Sequence, residues 1–371
     1  MTYEPAVKMI SKSRILVVPL DWGLGHATRC IPVIYELIKQ GAEVWLAGEG
    51  VQKNLLKKEF PDLPILPLEG YRVKYGGSRL GLFRSIFFQL PRLFKTIKQE
   101  NSWLKKVADE YQFDAVIADN RYGLYHPSIP SVFITHQLTI KTPFGKWSDR
   151  FLQKINYRFI NRFTECWIPD EKKENGIAGE LSHPAMMPVI PVHYAGILSR
   201  LKKNNEPEQK THLFISLSGP EPQRTLLENM IINEISQYHG TATIVRGLPG
   251  FSSVIPSTTD IRFYNHLSSK DYNKEMERAD YIISRSGYST VMDILVVGKK
   301  SILSPTPGQT EQEYLARYLT QKRLAFCIPQ KNFSLNEVLR QAAAFDYCTT
   351  HYVNGSGLSF LINSLLESTE A

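Results

Sequence analysis

The sequence predicts an α/β protein of two Rossmann-like domains whose parallel sheets face each other across a cleft. Three observations point there. Short apolar, β-rich runs alternate with helical segments through the first 170 residues. A polar stretch without periodicity, residues 202–210, then interrupts the pattern. After it the alternation restarts and continues to Ile328. Buried parallel strands read as short apolar runs, and the helices between them supply right-handed crossovers. A chain of 371 residues is long for one core and comfortable for two. The expected units are residues 1–200 and 201–371, with the polar stretch as linker.

Each element has a local reason. Residues 14–20 form an apolar strand. A helix over 29–40 follows, closed by Gly41 and disturbed near its start by Pro32. Strands are expected at 43–47, 63–68, 113–119, 131–135 and 166–170, the last closing the series, with a short helix at 51–59. The second unit opens with a strand at 212–217, a turn at Ser218-Gly219-Pro220 and a helix at 224–237. Strands follow at 242–246, 261–264, 281–284, 301–303 and 325–328. Helices at 269–278, 290–297 and 311–320 alternate with them. Ligands of such sheets bind at the carboxyl ends of strands, so the cleft between the units is the expected site.

Composition narrows the class. Hydrophobic residues make up 43% and charged residues 22%, ordinary values for a globular protein. No apolar run reaches the roughly 18 residues of a membrane span. Residues 1–5 lack a basic start and an apolar core, so no secretory signal is expected. The four cysteines, Cys30, Cys166, Cys327 and Cys348, fit no metal spacing and read as reduced thiols of a cytoplasmic protein. The net charge of +8 is uneven: residues 71–162 hold 16 Lys and Arg against 6 Asp and Glu. An anionic partner is expected there.

Three loops can carry chemistry. Gly23-Leu24-Gly25-His26 lies between the first strand and its helix. Glycines let the backbone turn and approach a ligand, and the helix behind offers free N–H groups and a positive end. The run lacks the third glycine of a dinucleotide fingerprint, since Thr28 stands there, although Glu49 supplies an acid near the end of the second strand. His26 can serve as a general base, because a helix N-terminus disfavours imidazolium; it can equally bond a backbone carbonyl. Ser218-Gly219-Pro220, with Arg224 after it, occupies the matching place in the second unit and suits a phosphate or a plain turn. Arg285-Ser286-Gly287-Tyr288-Ser289-Thr290 is a donor-rich turn before a helix that carries Asp293 and ends at Gly298. Pro305-Thr306-Pro307-Gly308-Gln309 then leads into Thr310-Glu311-Gln312, where Thr310 and Glu313 form a capping-box pair.

The pattern R-S-G-x-x-T-x-x-D in Arg285–Asp293, followed by Glu311-Gln312, resembles the donor-binding region of GT-B glycosyltransferases. The likeness is to the family-28, MurG-like branch, which includes the peptidoglycan N-acetylglucosaminyltransferases and the monogalactosyldiacylglycerol synthases. Gly23-Leu24-Gly25-His26 is similar to that branch's N-terminal turn. The resemblance is specific in 20–41 and 279–319 and extends in layout over most of the chain. It implies a GT-B fold and inverting transfer of a sugar from a nucleoside-diphosphate sugar, a UDP-sugar first, with no cofactor and no protein-held metal. Asp293 falls where the family holds the ribose, and Glu311 and Gln312 where it meets the sugar. Ser286, Gly287 and Thr290 fall at the diphosphate turn, with Gly25, Ser218, Gly219, Arg224 and Arg285 around the donor. Asn265-His266-Leu267 follows a strand where the nucleobase is held. His26 matches the family's histidine, proposed as base or oxyanion support, and Asp119 is a secondary candidate for the base. Two departures, Ser218-Gly219-Pro220 in place of a glycine-rich loop and Gly298-Lys299-Lys300 in place of G-x-P, bear on the donor's base and sugar.

Residues 79–98 and 141–162 mix basic and large apolar residues, among them Phe144, Trp147, Phe151, Lys146, Arg150 and Lys154. Such segments suit an anionic membrane surface, or an ordinary helix with a solvated basic face. The partners expected are a nucleotide-sugar donor, a lipid-linked or small glycan acceptor and an anionic membrane at the inner face of the plasma membrane. Nucleic acid is not expected: the charge fits but no recognition motif is present. Two rival functions share the layout, a nucleotide-sugar epimerase of the same fold and a non-catalytic nucleotide-sugar or membrane-binding protein.

Overall fold

The computed structural model describes residues 12–72, 79–173, 176–348 and 350–370, with the backbone alone for 79–88, 90 and 370. The N-terminal stretch read for a signal therefore lies outside the described residues, as do many side chains of the basic stretch 79–98.

The first domain runs β1 (Arg14–Pro19), α1 (Leu24–Lys39), β2 (Glu43–Gly48), α2 (Gly50–Glu59), β3 (Ile65–Pro67), α3 (Arg79–Tyr111), β4 (Ala115–Asp119), β5 (Ser131–Ile134), α4 (Lys146–Ile160), β6 (Glu165–Ile168) and β7 (Val192–Tyr194). Its strands pair in parallel in the order β3-β2-β1-β4-β5-β6-β7. The second domain runs β8 (His212–Ser216), α5 (Gln223–Ile235), β9 (Thr241–Val245), β10 (Ile261–Tyr264), α6 (Ser269–Arg278), β11 (Tyr281–Ser284), α7 (Tyr288–Val297), β12 (Ser301–Leu303), α8 (Thr310–Gln321), β13 (Phe326–Cys327), α9 (Leu335–Ala343) and α10 (Leu358–Glu370). Its sheet is also parallel, ordered β10-β9-β8-β11-β12-β13. The central strands are apolar through their middles because both faces are covered; Ile15 to Val18 and Leu213 to Ile215 are fully buried.

Four features depart from the expected elements. Helix α1 begins at Leu24, not at 29, and continues through Pro32. Gly23, at φ 80°, makes the turn that lets it start early. Proline removes only one ladder bond, and eight buried side chains of α1 hold the helix past it. A seventh strand, β7, pairs with β6 beyond the expected end of the series. The stretch before β4 is one long helix, α3, with Pro91 inside it.

The fourth departure concerns the chain end. The polar linker lies between β7 and β8, but α10 returns to the first domain. Its Leu358, Leu361, Ile362 and Leu365 are buried with Val33, Ile34 and Leu37 of α1. A helix with an apolar stripe goes where a matching stripe is open, and α1 offers one. The second unit therefore does not own the whole of residues 201–371.

Both sheets have a switch point, where the strand order reverses: β1/β4 in the first and β8/β11 in the second. Register sets Pro19 beside Asp119, and Ser216 beside Ser284. Loops leaving these strands open into the crevices where α/β sheets bind ligands.

Ile362 is fully buried against the first domain. Ile362→Ala should cost about 2–4 kcal/mol. The loss should appear in urea unfolding followed by Trp167 fluorescence, since Trp167 belongs to the same cluster.

Candidate active site

The loop after β1 is held from below. Asp21 accepts from the backbone N–H groups of Tyr71 (2.9 Å) and Arg72 (3.0 Å). Gln52 donates to the carbonyls of Asp21 (2.8 Å) and Gly23 (3.2 Å). With its entry fixed, α1 places His26 in its first turn and Arg29 one turn on, on the same face.

Asp119, at the end of β4, is fully buried. Arg29 grips it with two guanidinium nitrogens, and His26 Nδ1 lies 2.8 Å from its Oδ1. Burial alone would raise this carboxyl, but the charges of Arg29 and His26 hold it well below the ordinary carboxylate range. Asp119 meets no solvent, so its action runs through His26. As an acceptor it takes the Nδ1 proton, which leaves Nε2 as the nitrogen with a lone pair. That assignment follows the hydrogen-bond network. Arg29 Nη2 donates to the same Asp119 oxygen and so lies 2.9 Å from His26 Nδ1 as a second donor beside it, not as its hydrogen-bond partner.

The same guanidinium reaches β5. Arg29 Nη1 is 3.1 Å from Nδ1 of His136, which follows that strand. His136 Nε2 is 2.8 Å from Glu311 Oε1, and Gln137 donates to Glu311 Oε2. Glu311 belongs to the first turn of α8, in the other domain. His136 also stacks on the Tyr288 ring at 4.1 Å and 7°. Burial pushes the His136 ring toward its neutral form, Arg29 and His26 add to that, and Glu311 opposes. Burial would raise Glu311; the ring beside it brings the carboxyl below its ordinary value.

Other contacts close the domains on each other. Ser289 Oγ donates to the Gly25 carbonyl at 3.0 Å, and Tyr288 OH to the Pro169 carbonyl at 2.6 Å. A Cβ on Gly25 would lie 2.8 Å from Ser289 Oγ, so this glycine permits the approach.

The donor-side residues divide into two sets. Ser218 and Gly219 are exposed, Gly219 at φ +105° with Thr306 Oγ1 nearby. Gly287 caps α7 with open space in front of it, and Thr290 is half-buried in the first turn. Arg224, Ser286 and Gln312 are turned inward, away from the roles the sequence suggested. Arg224 pairs with Glu221 (2.6 Å), just before α5, and with Glu228 (3.2 Å), one turn on in α5. Ser286 Oγ donates to the Gln312 carbonyl at 2.9 Å. Gln312 Oε1 accepts from Thr306 N at 2.9 Å and so shapes the loop before α8. Arg285 is buried and donates to the carbonyls of Ser304 (3.2 Å), Pro305 (3.4 Å) and Gln223 (2.6 Å). It ties the loop after β12 to the start of α5, and burial brings its guanidinium down to about 10.

His266 is half-buried after β10; burial, then Arg200 and Lys58 of α2, favour its neutral ring. Asp293, on α7, accepts from Ser199 Oγ at 2.5 Å. Ser199 lies on the crossover between the domains, where Asn354 also holds its backbone N–H at 2.9 Å. Burial raises the Asp293 carboxyl to about 6. Among the described residues, no group of three or more His, Cys, Asp or Glu is arranged to hold a metal ion.

Sequence reasoning missed Arg29, His136 and Gln137. Two signals could have found them: Arg29 is three residues from His26 in a helix, and His136-Gln137 stands at a strand's carboxyl end.

Residues 257–346 match the Glycosyltransferase family 28 C-terminal domain. The chain is 23% identical over 330 residues to a UDP-N-acetylglucosamine–N-acetylmuramyl-(pentapeptide) pyrophosphoryl-undecaprenol N-acetylglucosamine transferase of Haemophilus ducreyi, covering 85% of both. It is 22% identical over 328 residues to an uncharacterized glycosyltransferase of Methanosarcina acetivorans, covering 81% of both. Among solved structures it is similar to the spinosyn rhamnosyltransferase SpnG, with a TM-score of 0.62 at 14% identity over 96% of each chain. It is also similar to MurG of Acinetobacter baumannii, with a TM-score of 0.52 at 14% identity over 96% of this chain and 95% of that one.

The Asp293 carboxyl yields a pH prediction. Its folded value lies above its unfolded one, so between the two the folded state binds more protons and stability falls as pH rises. The loss should run from about pH 4 to above about pH 6 and reach at most about 3 kcal/mol. Asp293→Asn should lack this part of the pH dependence. Parallel denaturant titrations of the two proteins across that range check it.

Proposed function

We propose that this chain, a glycosyltransferase of the GT-B fold with a family 28 match in its second domain, moves a sugar from a UDP-sugar to an acceptor hydroxyl. The transfer inverts the sugar and needs no protein-held metal. One observation carries the reading: His26 and Glu311, from different domains, meet in one hydrogen-bonded cluster between the two switch points.

Each part has a role in the proposed reaction. The acceptor hydroxyl loses its proton to His26 Nε2 as it attacks, and buried Asp119 stabilises the imidazolium that forms. Glu311, a third of its side chain still open, accepts hydrogen bonds from the sugar hydroxyls. Departure of the nucleoside diphosphate builds charge on its β-phosphate. The N-terminus of α7, open at Gly287, stabilises that charge, in a crevice whose loops Arg285 ties together. Asp293 holds the ribose once Ser199 yields. The closed domains keep water from the donor.

The acceptor is lipid-linked and is met at the inner face of the plasma membrane. The Haemophilus relative's name specifies a pyrophosphoryl-undecaprenol acceptor. Here α4 and the residues before it expose Trp147 (71%), Phe151 (60%) and Phe144 (48%) among Lys146, Arg150 and Lys154. Interfacial helices carry such faces. Among the described residues no helix is long and apolar enough to cross a membrane.

Two experiments test these readings. His26→Ala should lower kcat for transfer from a UDP-sugar by about 10²- to 10⁴-fold while UDP still raises the melting temperature. Turnover equal to the parent's would remove His26 as base, and no transfer by the parent from any nucleotide sugar would remove the reaction. The chain should float with vesicles containing anionic lipid. Reversing the charge of Lys146, Arg150 and Lys154 should weaken that by about 1 kcal/mol or more per residue. Failure of the parent to float would end the membrane proposal.

A further inference from the structure

Arg29 is the residue on which the cluster converges. It is buried, and its guanidinium contacts Asp119, His26 and His136 at once. His136 is one of the residues that join the domains, through Glu311. An imidazole has three states: two neutral tautomers and the cation. At His136 only one of them fits both neighbours. Arg29 is a donor only, so Nδ1 must carry the lone pair. Glu311, an ionised carboxylate, is an acceptor only, so Nε2 must carry the proton.

We propose that Arg29 is a positioning residue for the transfer reaction, fixing His136 as the Nε2–H tautomer whose single proton goes to Glu311 across the cleft. The role in transfer rests on the reading of Glu311 as the acid that meets the donor sugar. The opposite tautomer would set the Nε2 lone pair against the carboxylate, and Glu311 would turn from the ring. The cation would put a second positive charge 3.1 Å from Arg29. The groups facing His136 are Arg29 and His26 from α1, Gln137 beside it, Tyr288 from α7 and Glu311 from α8, with Asp119 behind Arg29. Among them Arg29 alone donates to Nδ1. Gln137 holds the other Glu311 oxygen, so both contacts set the orientation of that carboxylate. Each oxygen keeps a further lone pair for a sugar hydroxyl.

The test uses the full chain labelled with ¹⁵N-histidine, without ligand, and long-range ¹H–¹⁵N spectra. The chain has nine histidines, and His136→Gln identifies the signals. The parent should show His136 with a protonated Nε2 and an unprotonated Nδ1 at neutral pH. Arg29→Met should lose the fixed tautomer, and the ring should titrate at higher pH than in the parent. Arg29→Lys keeps a cation for Asp119 but cannot reach both Asp119 and His136. It should fold, lose the fixed tautomer, and serve as the readout if Arg29→Met does not fold. In transfer assays the KM for the donor should rise about ten- to a hundred-fold, more than kcat falls. Parent-like His136 signals in Arg29→Lys would overturn the proposal, and so would changed signals with an unchanged donor KM. A parent inactive on every nucleotide sugar would overturn the transfer reaction, while the ring signals would still decide the effect of Arg29 on His136.

Discussion

The buried pair of Asp119 and Arg29 is the constraint on which the site depends. A carboxylate at the end of a central strand, with no solvent, is stable as an anion only if it is paired and hydrogen-bonded. Arg29 supplies the charge and His26 a further bond. Because a guanidinium is planar and carries five donors, compensating Asp119 also aims one edge of Arg29 at His136. Through His136 the pair reaches Glu311 in the second domain. The interdomain contact and the orientation of the histidine bearing the free nitrogen thus share one buried ion pair.

The second domain uses its polar residues differently. Arg285, Ser286, Arg224 and Gln312 bond to loop carbonyls, loop amides or neighbouring carboxylates, and so shape the crevice. The groups left open there are backbone and small residues: Gly287 at the head of α7, and Ser218 with Gly219 after β8. This suits an anionic ligand, which helix N-termini bind through N–H groups without a long side chain. Asp293 adds a link to the crossover, since its partner Ser199 lies where the chain passes between domains.

The fold was largely legible before the structure. Parallel strands buried on both faces leave apolar runs that need no partner to be recognised, as at Ile15–Val18 and Leu213–Ile215. The candidate residues that could be read from sequence, His26, Gly287 and Glu311, are those on turns between a strand and a helix. It was not legible at Arg29 or His136. Neither stands in a motif, and each acquires its role from a residue far away in the chain, Asp119 for one and Glu311 for the other.

By itself, then, the sequence determined two α/β units, their linker and the turns that open on the cleft, because strand and helix periods and turn residues are local. Only the tertiary structure decided which polar side chains face that cleft. Arg224 and Gln312 looked as available as Glu311, yet carboxylates and loop atoms nearby claimed them. The structure alone also sent α10 back onto α1, because the apolar stripe it buries belongs to the other end of the chain. Burial and pairing are properties of neighbours. Those of Arg224 and Gln312 stand close by in the chain but compete with any ligand. The contacts of Arg29 with His136, of His136 with Glu311 and of α10 with α1 join residues too far apart to leave a trace in local pattern.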